Sequence, residues 1–169
     1  GILKSYTVAY QAISELPDFW VSYVAVGRRG IKESKLYTRS PFVVTYDSIE
    51  GNITNYPAFI TILSLDSYLL EIDDGMNVRK KMKFGERFTN HSFNFAIELR
   101  SKLNSEENII GKKYYFIFNS LTALAKAYQS KVTVDLNDKK GSILTLTTSG
   151  FVADQEADYL NKVMEVYIR

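Results

Sequence analysis

The chain has 169 residues, of which 46% are hydrophobic and 24% charged, a globular composition with room for one domain or for one domain and part of a neighbour. Its 21 basic and 19 acidic residues leave a formal charge of +2, so net charge does not direct it to nucleic acid or to an anionic membrane. The absence of cysteine excludes disulfides, thiolate metal sites and cysteine nucleophiles.

The first segment predicts an amphipathic helix over residues 1–16. Its apolar residues recur at intervals of three and four, which is the helical period. Pro17 lacks the N–H that a continuing helix needs, so the helix ends before it. The predicted buried face consists of Ile2, Tyr6, Ala9, Ile13 and Leu16.

The central part, residues 18–118, changes to the period of two that is typical of strands. The predicted strands are 20–26, 41–46, 58–65, 67–72, 80–84, 93–99 and 112–118. The side chains predicted to point inward from the last two are Phe93, Phe95, Ile97 and Leu99, and Tyr114, Phe116 and Phe118. Because an antiparallel sheet with one apolar face needs a cover, the pattern predicts a jelly-roll-like β-sandwich.

The last part, residues 119–169, predicts a helix, a β-hairpin and a second helix. Asn119 or Ser120 caps the first helix, whose apolar residues are Leu121, Leu124, Ala125 and Tyr128. The hairpin joins strands 131–136 and 142–148 through the polar turn 137–141. Asp154 is the predicted cap of the final helix. The apolar stripe of that helix is Ala153, Ala157, Leu160, Met164 and Tyr167.

These elements predict an α+β fold in which residues 18–118 are inserted between two parts of a helical subdomain, residues 1–17 and 119–169. The stripe of the final helix continues to the last turn with no glycine or proline stop. We therefore expect the chain to be a piece of a longer protein. Leu160, Met164 and Tyr167 are its candidate packing or oligomer face.

Residue types that carry chemistry are scarce. His91 is the single histidine and stands in a polar turn, so it is a weak candidate for catalysis or metal binding. Asp73-Asp74-Gly75 is better interpreted as a hairpin turn than as an acid pair, because adjacent strand residues point to opposite faces. The phosphate-binding glycine patterns are absent. The sequence thus predicts no catalytic residue, no cofactor and no metal.

Two surface features have competing interpretations. Arg79, Lys80, Lys81 and Lys83 could bind an acidic polymer, but a solvated edge strand protected by lysines is the favoured interpretation. Four tyrosines could stack on sugar rings, although most are expected in the core or on a sheet surface. They are Tyr37, Tyr46, Tyr56 and Tyr68.

The sequons Asn52-Ile53-Thr54 and Asn90-His91-Ser92 have meaning only in a glycosylating pathway.

Short blocks along nearly the whole chain carry a resemblance to a known family. They are Gly1–Ser5, Val21–Tyr23, Gly27–Arg28, Lys35–Tyr37, Ser40–Phe42, Phe84–Glu86, Tyr128–Val132, Gly141–Leu146, Ala157–Lys162 and Glu165–Tyr167. In these blocks the chain resembles the extracytoplasmic region of Bacteroides-type polysaccharide copolymerases, or chain-length determinants, of the kind fused to capsule-region tyrosine autokinases.

The resemblance implies a β-sandwich inserted in a partial α/β chain-length-determinant domain, with no catalytic residue in this region. It implies a periplasmic part of an inner-membrane protein, anchored by flanking segments, that forms homo-oligomers and meets polysaccharide polymerase and export machinery. Some relatives carry a cytoplasmic ATP-dependent tyrosine kinase, and nucleic acid is not an expected partner. The leading hypothesis is therefore a non-catalytic assembly module in capsular or exopolysaccharide chain-length control and export.

Two alternatives come from other functional classes. The first is a carbohydrate-binding sandwich whose aromatic side chains grip the polymer directly. The second, ranked third, is a glycan hydrolase, which needs two acids roughly 5 to 10 Å apart in a cleft.

Overall fold

A computed structural model describes residues 5–73, 75, 77–100, 108–131, 133–136, 144–147 and 152–169. These residues form three α-helices and eleven strands, and all strand pairs in the sheets are antiparallel. The α+β class predicted from the sequence is therefore confirmed. The chain divides into two units, Gly1–Trp20 with Asn119–Arg169, and Val21–Phe118. No helix within the described residues has both the length and the apolar character needed to span a bilayer.

Helix α1 of the first unit covers Tyr6–Ser14. It begins at Ser5, whose side chain accepts a hydrogen bond from the Val8 N–H at 3.1 Å. The predicted inward residues Ala9 and Ile13 are buried, and Val8 and Ala12 complete the buried face. The helix ends before the predicted Leu16, because the chain turns into a short 3₁₀ segment at Pro17–Phe19. The predicted helical residues 1–4 lie outside the described residues.

Helices α2, Leu121–Lys131, and α3, Ala153–Tyr167, complete the helical part of this unit. Ser120 caps α2 as predicted, since its hydroxyl accepts from the Ala123 N–H at 3.3 Å. The prediction that Asp154 caps α3 is wrong. The cap position is Val152, which is buried and offers no side-chain acceptor, and Asp154 lies in the first turn near the positive end of the helix dipole.

The core of the first unit contains a cluster of three aromatic rings. Tyr128 of α2 lies 4.5 Å from Tyr159 of α3 and 5.3 Å from Phe19, measured between ring centroids. Burial raises the pKa of both tyrosines, to about 12 for Tyr159. The cluster therefore joins α2, α3 and the 3₁₀ segment through ring packing.

Strands β10, Thr133–Leu136, and β11, Leu144–Thr147, pair antiparallel with Leu136 opposite Leu144. The predicted C-terminal hairpin is confirmed. Its predicted polar turn, Asn137–Gly141, lies outside the described residues.

The second unit contains a six-stranded sheet in the order β2-β1-β9-β4-β5-β6 and a three-stranded sheet in the order β3-β8-β7. The strands of the first sheet are β1 Val21–Val26, β2 Glu33–Lys35, β4 Ala58–Ile62, β5 Ser67–Ile72, β6 Val78–Lys83 and β9 Lys113–Phe118. Those of the second are β3 Phe42–Thr45, β7 Arg87–Thr89 and β8 Asn94–Leu99. Val21 pairs with Phe118, so the unit begins and ends on neighbouring strands.

Each of the seven predicted central strands has a counterpart, whereas β2 and β7 were not predicted. Strand β4 ends at Ile62 instead of Leu65. The reason is a tight turn in which the Ser64 hydroxyl accepts from the N–H groups of Asp66 and Ser67, both at 3.1 Å. This turn leaves Leu65 43% exposed.

The two sheets share one hydrophobic core built largely of aromatic rings. Phe42 of β3 lies 5.6 Å from Tyr114 of β9, and Phe95 of β8 lies 5.1 Å from Phe116 of β9. The inward alternation predicted for residues 93–99 and 112–118 is confirmed by the buried residues, although Leu99 is only partly buried. The Tyr23 hydroxyl of β1 also accepts from the Val44 N–H of β3 at 2.9 Å and so joins the sheets.

Candidate functional site: the outer face of the six-stranded sheet

The six-stranded sheet has a second face, opposite the shared core, that carries polar, aromatic and basic residues. Cross-strand pairing aligns them in two rows, because paired residues point to the same side of a sheet. The rows are Glu33, Val26, Lys113, Thr61, Leu69 and Lys81, and Lys35, Val24, Tyr115, Phe59, Glu71 and Arg79. We call this surface the outer face.

An aromatic pair occupies the middle of the outer face. Phe59 and Tyr115 are directly paired, half-buried, and have ring centroids 5.2 Å apart. The Lys113 ammonium lies 4.9 Å from the Phe59 centroid, within cation–π distance. The Tyr115 hydroxyl donates to the Glu33 carboxylate at 2.7 Å, and burial together with this carboxylate raises the pKa of Tyr115 to about 12. The pair is therefore fixed on two sides by charged neighbours.

A cavity of about 790 Å³ opens at the end of the sheet where β1 leads into β2, and Lys113, which lies over the Phe59 ring, is one of its lining residues. We call it the cationic cavity. Among the residues that the structure describes, its lining includes no acidic residue and five basic ones: Arg28, Arg29, Lys32, Lys112 and Lys113. All five are exposed. A positive potential is therefore concentrated at this end of the sheet.

The backbone of residues 27–32 holds one wall of the cationic cavity. The Gly27 N–H donates to the Lys32 carbonyl at 2.6 Å, and the Gly30 N–H donates to the Gly27 carbonyl at 3.0 Å. Arg29 and Gly30 both have left-handed φ angles, 62° and 66°, which favour glycine. A Cβ at Gly27 would lie 2.9 Å from the Lys32 carbonyl oxygen, so the loop closes only over glycine at that position.

The opposite wall is a turn that leads into β9. The Gly111 N–H donates to the Ile62 carbonyl at 2.7 Å, and the Lys112 N–H donates to the Ile109 carbonyl at 3.1 Å. Ile109 is 6% exposed and anchors the turn in the core. Both walls therefore rest on the sheet, because Lys113 pairs with Val26 of β1.

A smaller cavity of about 320 Å³ lies farther along the outer face and shares Lys113 with the cationic cavity. Phe59, Glu71 and Arg79 are among its lining residues. Arg79 and Glu71 form an ion pair at 3.5 Å there, so its charges are largely balanced. Among the described lining residues of these two cavities, basic side chains outnumber acidic ones only at the larger cavity.

The four tyrosines proposed from the sequence as stacking platforms do not form one. Tyr37 and Tyr68 are buried, at 6% and 0% exposure, and Tyr46 and Tyr56 pack partly buried against the core. A tyrosine in an alternating strand can point to either side, and the pairing register decides which. The aromatic pair on the outer face is Phe59 and Tyr115, which was not predicted from the sequence.

The other predicted surface features are found as follows. His91 is exposed in the turn between β7 and β8, and the described residues hold no cluster of three or more side chains suited to a metal. Gly75, with φ of 88°, lies in the hairpin between β5 and β6, as predicted for a turn, while Asp74 lies outside the described residues. Strand β6 is an edge strand, as predicted for the basic run. Three basic residues of β6 lie on the outer face, because each is paired with a residue of β5 that points to that side. They are Arg79, Lys81 and Lys83.

Asn52 of the first sequon has a structural role. Its amide nitrogen donates to the Ser48 and Asn94 carbonyls, both at 3.1 Å, and its amide oxygen accepts from the Asn94 N–H at 2.7 Å. The residue is only 5% exposed. The amide nitrogen and the amide oxygen of Asn52 are therefore both hydrogen-bonded to the backbone within the second unit.

On α3, the predicted oligomer face and the buried face are different. The residues that α3 buries are Tyr159 and Val163. Leu160 and Met164 are partly buried, and Tyr167 is 46% exposed. The predicted stripe is therefore offset from the buried face by about 100° around the axis, the step of one residue in a helix of 3.6 residues per turn.

An ion-pair network joins the end of α1 to the end of α3. The Arg169 guanidinium donates to the carboxylates of Glu15 and Glu165, and Lys162 lies 3.0 Å from Glu165. The bond from Arg169, assisted by one from Gln11, lowers the pKa of Glu15 to about 2.

In comparisons with known proteins, neither the family models nor the curated sequences contain a match to this chain.

Proposed function

We propose that this chain is a non-catalytic assembly module from the extracytoplasmic part of a capsular or exopolysaccharide copolymerase, acting in chain-length control and export. The observation that carries the proposal is the division of the chain. Both ends form one helical unit, and Val21–Phe118 forms a β-rich unit of its own that begins and ends on paired strands. A β-sandwich inserted in a partial chain-length-determinant domain is what the family resemblance predicts, and this division supports it.

In this proposal α3 supplies the contact between copies of the protein. Leu160, Met164 and Tyr167 form an apolar stripe that α3 does not fully bury. Burying such a stripe against a second copy is favourable in proportion to the apolar area removed from water. Flanking membrane segments of the parent would hold copies at high effective concentration, so a modest contact suffices. The assembly would then meet the polymerase and export machinery in the periplasm.

The test uses the full-length parent with Leu160→Gln, Met164→Gln and Tyr167→Gln combined. The matched control combines Asp154→Asn and Asn161→Gln, which change exposed residues beside the stripe on the same helix. We expect the stripe variant to form smaller oligomers in native mass spectrometry and to shift polymer length on gels, while the control behaves as the parent. Unchanged oligomers and polymer in the stripe variant would count against the proposal.

A second candidate function is direct carbohydrate binding. It is favoured by the half-buried pair of Phe59 and Tyr115 on the outer face, since Phe59 also lines the smaller cavity of about 320 Å³. Aromatic rings present flat apolar surfaces on which sugar rings pack, and nearby polar groups fix orientation. Titration of the chain with purified capsular polysaccharide should then give saturable changes in tyrosine fluorescence, which Tyr115→Ala weakens. Absence of a saturable change would count against carbohydrate binding, and assembly would then be the one proposed function that remains.

A further inference from the structure

We propose that the cationic cavity binds the carboxylate groups of an acidic saccharide, with the rings of Phe59 and Tyr115 beside it as a platform for a neighbouring sugar. This inference rests on the second candidate function, carbohydrate binding. It adds the chemical class of the ligand and the residues that recognise it.

The basic side chains of the cationic cavity are not balanced by carboxylates. Within the described part of the chain, Arg28, Arg29, Lys32 and Lys112 have no carboxylate within ion-pair distance, whereas Arg79 and Arg87 have one each and Lys162 and Arg169 have two each. Like charges that converge on one cavity raise its potential, and an anion placed between them lowers the energy of all. Arginine and lysine are also the side chains that make the strong charge-assisted hydrogen bonds to carboxylates.

The loop that presents these charges has an unusual backbone conformation. Arg29 has a left-handed φ of 62°, although its side chain gains no ion pair among the described residues. Such a conformation is unfavourable for a residue with a Cβ and is found at ligand clamps. Arg28 and Arg29, which are consecutive in this loop, both line the cavity. An anionic ligand bound by the two arginines would offset the unfavourable backbone conformation of this loop.

The surroundings of the cationic cavity favour an acidic saccharide over a nucleic acid as the bound anion. A nucleic acid presents phosphates in a continuous line and is bound by a continuous basic track. On the outer face, Glu33 and Glu71 interrupt the basic residues, and the chain as a whole carries a charge of only +2. The cationic cavity, at about 790 Å³, has the size of a site for a small molecule or a few sugar units. Separated carboxylates on a saccharide suit this arrangement better.

The experiment is a calorimetric titration of the full 169-residue chain with tetragalacturonate. The neutral methyl ester of the same tetramer and a twelve-nucleotide oligothymidylate are the comparison ligands. The cavity variant combines Arg28→Gln, Lys32→Gln and Lys112→Gln. The control combines Lys80→Gln, Lys81→Gln and Lys83→Gln, which removes the same charge from β6, three strands from β9 and about 14 Å away at the usual strand spacing.

We expect saturable binding of tetragalacturonate that weakens as the salt concentration rises. The cavity variant should lose affinity at least about tenfold, because it lacks the charge-assisted hydrogen bonds. The control should lose affinity less than about threefold. The substituted residues are exposed, so thermal unfolding should show both variants folded.

Three results would overturn the inference: equal binding of the neutral ester, equal losses in both variants, or tighter binding of the oligonucleotide. Equal binding of the ester would still leave carbohydrate binding standing. If none of these ligands binds at concentrations up to about 1 mM, and capsular polysaccharide does not bind either, both this inference and the carbohydrate-binding function are refuted.

Discussion

Two buried tyrosine hydroxyls in the second unit differ in one respect that stability measurements can detect. The Tyr23 hydroxyl accepts a hydrogen bond from the Val44 N–H at 2.9 Å. The Tyr68 hydroxyl, on a residue with 0% exposure, has no hydrogen-bond partner among the described residues. Burial, together with Glu86, raises the pKa of Tyr68 above its usual value, as expected for a phenol without a compensating donor. Tyr23→Phe and Tyr68→Phe should therefore change stability in opposite directions.

The size of each effect follows from what the substitution leaves behind. Tyr23→Phe leaves the Val44 N–H without this acceptor at a residue that is 4% exposed, and a buried unsatisfied donor costs about 1–3 kcal/mol. Tyr68→Phe removes a hydroxyl whose burial without a partner costs about 1–3 kcal/mol in protein data. Ring packing is kept in both, against Phe42 at 5.2 Å and Phe84 at 5.1 Å. We expect about 2 kcal/mol of destabilisation for the first and about 1 kcal/mol of stabilisation for the second.

Urea unfolding followed by circular dichroism measures the difference. With a slope of about 2 kcal/mol per molar urea, the two midpoints should lie about 1.5 M apart, with the unmodified chain between them. Equal slopes of unfolding free energy against urea concentration in both variants would show that the substitutions change stability and not the compactness of the unfolded chain. If Tyr68→Phe destabilises by about 1 kcal/mol or more, its hydroxyl makes a stabilising bond and the reasoning is refuted.

Three further predictions concern single residues. Asn52→Ala should destabilise the second unit by about 2 kcal/mol in the same assay, because it leaves the part-buried N–H and carbonyl of Asn94 without their Asn52 partner. Gly27→Ala should cost about 1–2 kcal/mol through contact of the new Cβ with a backbone oxygen at 2.9 Å, whereas Gly51→Ala, with open space around it, should cost nothing measurable. The pKa of Glu15 is lowered from 4.5 to about 2, so its ionised form stabilises the fold above pH 4.5 and that contribution is lost as the pH falls toward 2. Thermal unfolding of Glu15→Gln should accordingly differ from the parent at pH 6 and converge with it near pH 2.

Apolar alternation was enough to predict the strands that line the core. In β9 every second residue is a buried aromatic, and in β8 Phe95 and Ile97 are buried, so these side chains could be assigned to the core directly. Ala96 of β8 is also buried, although the period of two assigns it to the other face. Strands β2 and β7 are three residues long. All of Glu33–Lys35 is exposed, so no apolar pattern marks β2, and its pairing with β1 alone makes it a strand.

The candidate site depends on pairing between distant parts of the chain. Arg28 follows β1 and Lys112 precedes β9, and nothing local to either segment indicates the other. The register that places Val26 opposite Lys113 brings them to the same end of the sheet. The same pairing places Tyr115 opposite Phe59. Turn glycines and basic residues were visible in the sequence, but their convergence follows from the sheet order β2-β1-β9-β4.

The geometry of β1 and β9 also separates the two proposed roles. The chain enters and leaves the second unit at Val21 and Phe118, whereas Val26 and Lys113 at the other end of the same strands border the cationic cavity. Five strand steps correspond to about 17 Å, and substitutions this far apart with no shared partner act nearly additively. Removing cavity charges should therefore leave the junction pairing intact. A cavity variant that lost saccharide binding and kept its oligomeric state would show that ligand recognition depends on the second unit and that assembly does not need the cavity charges.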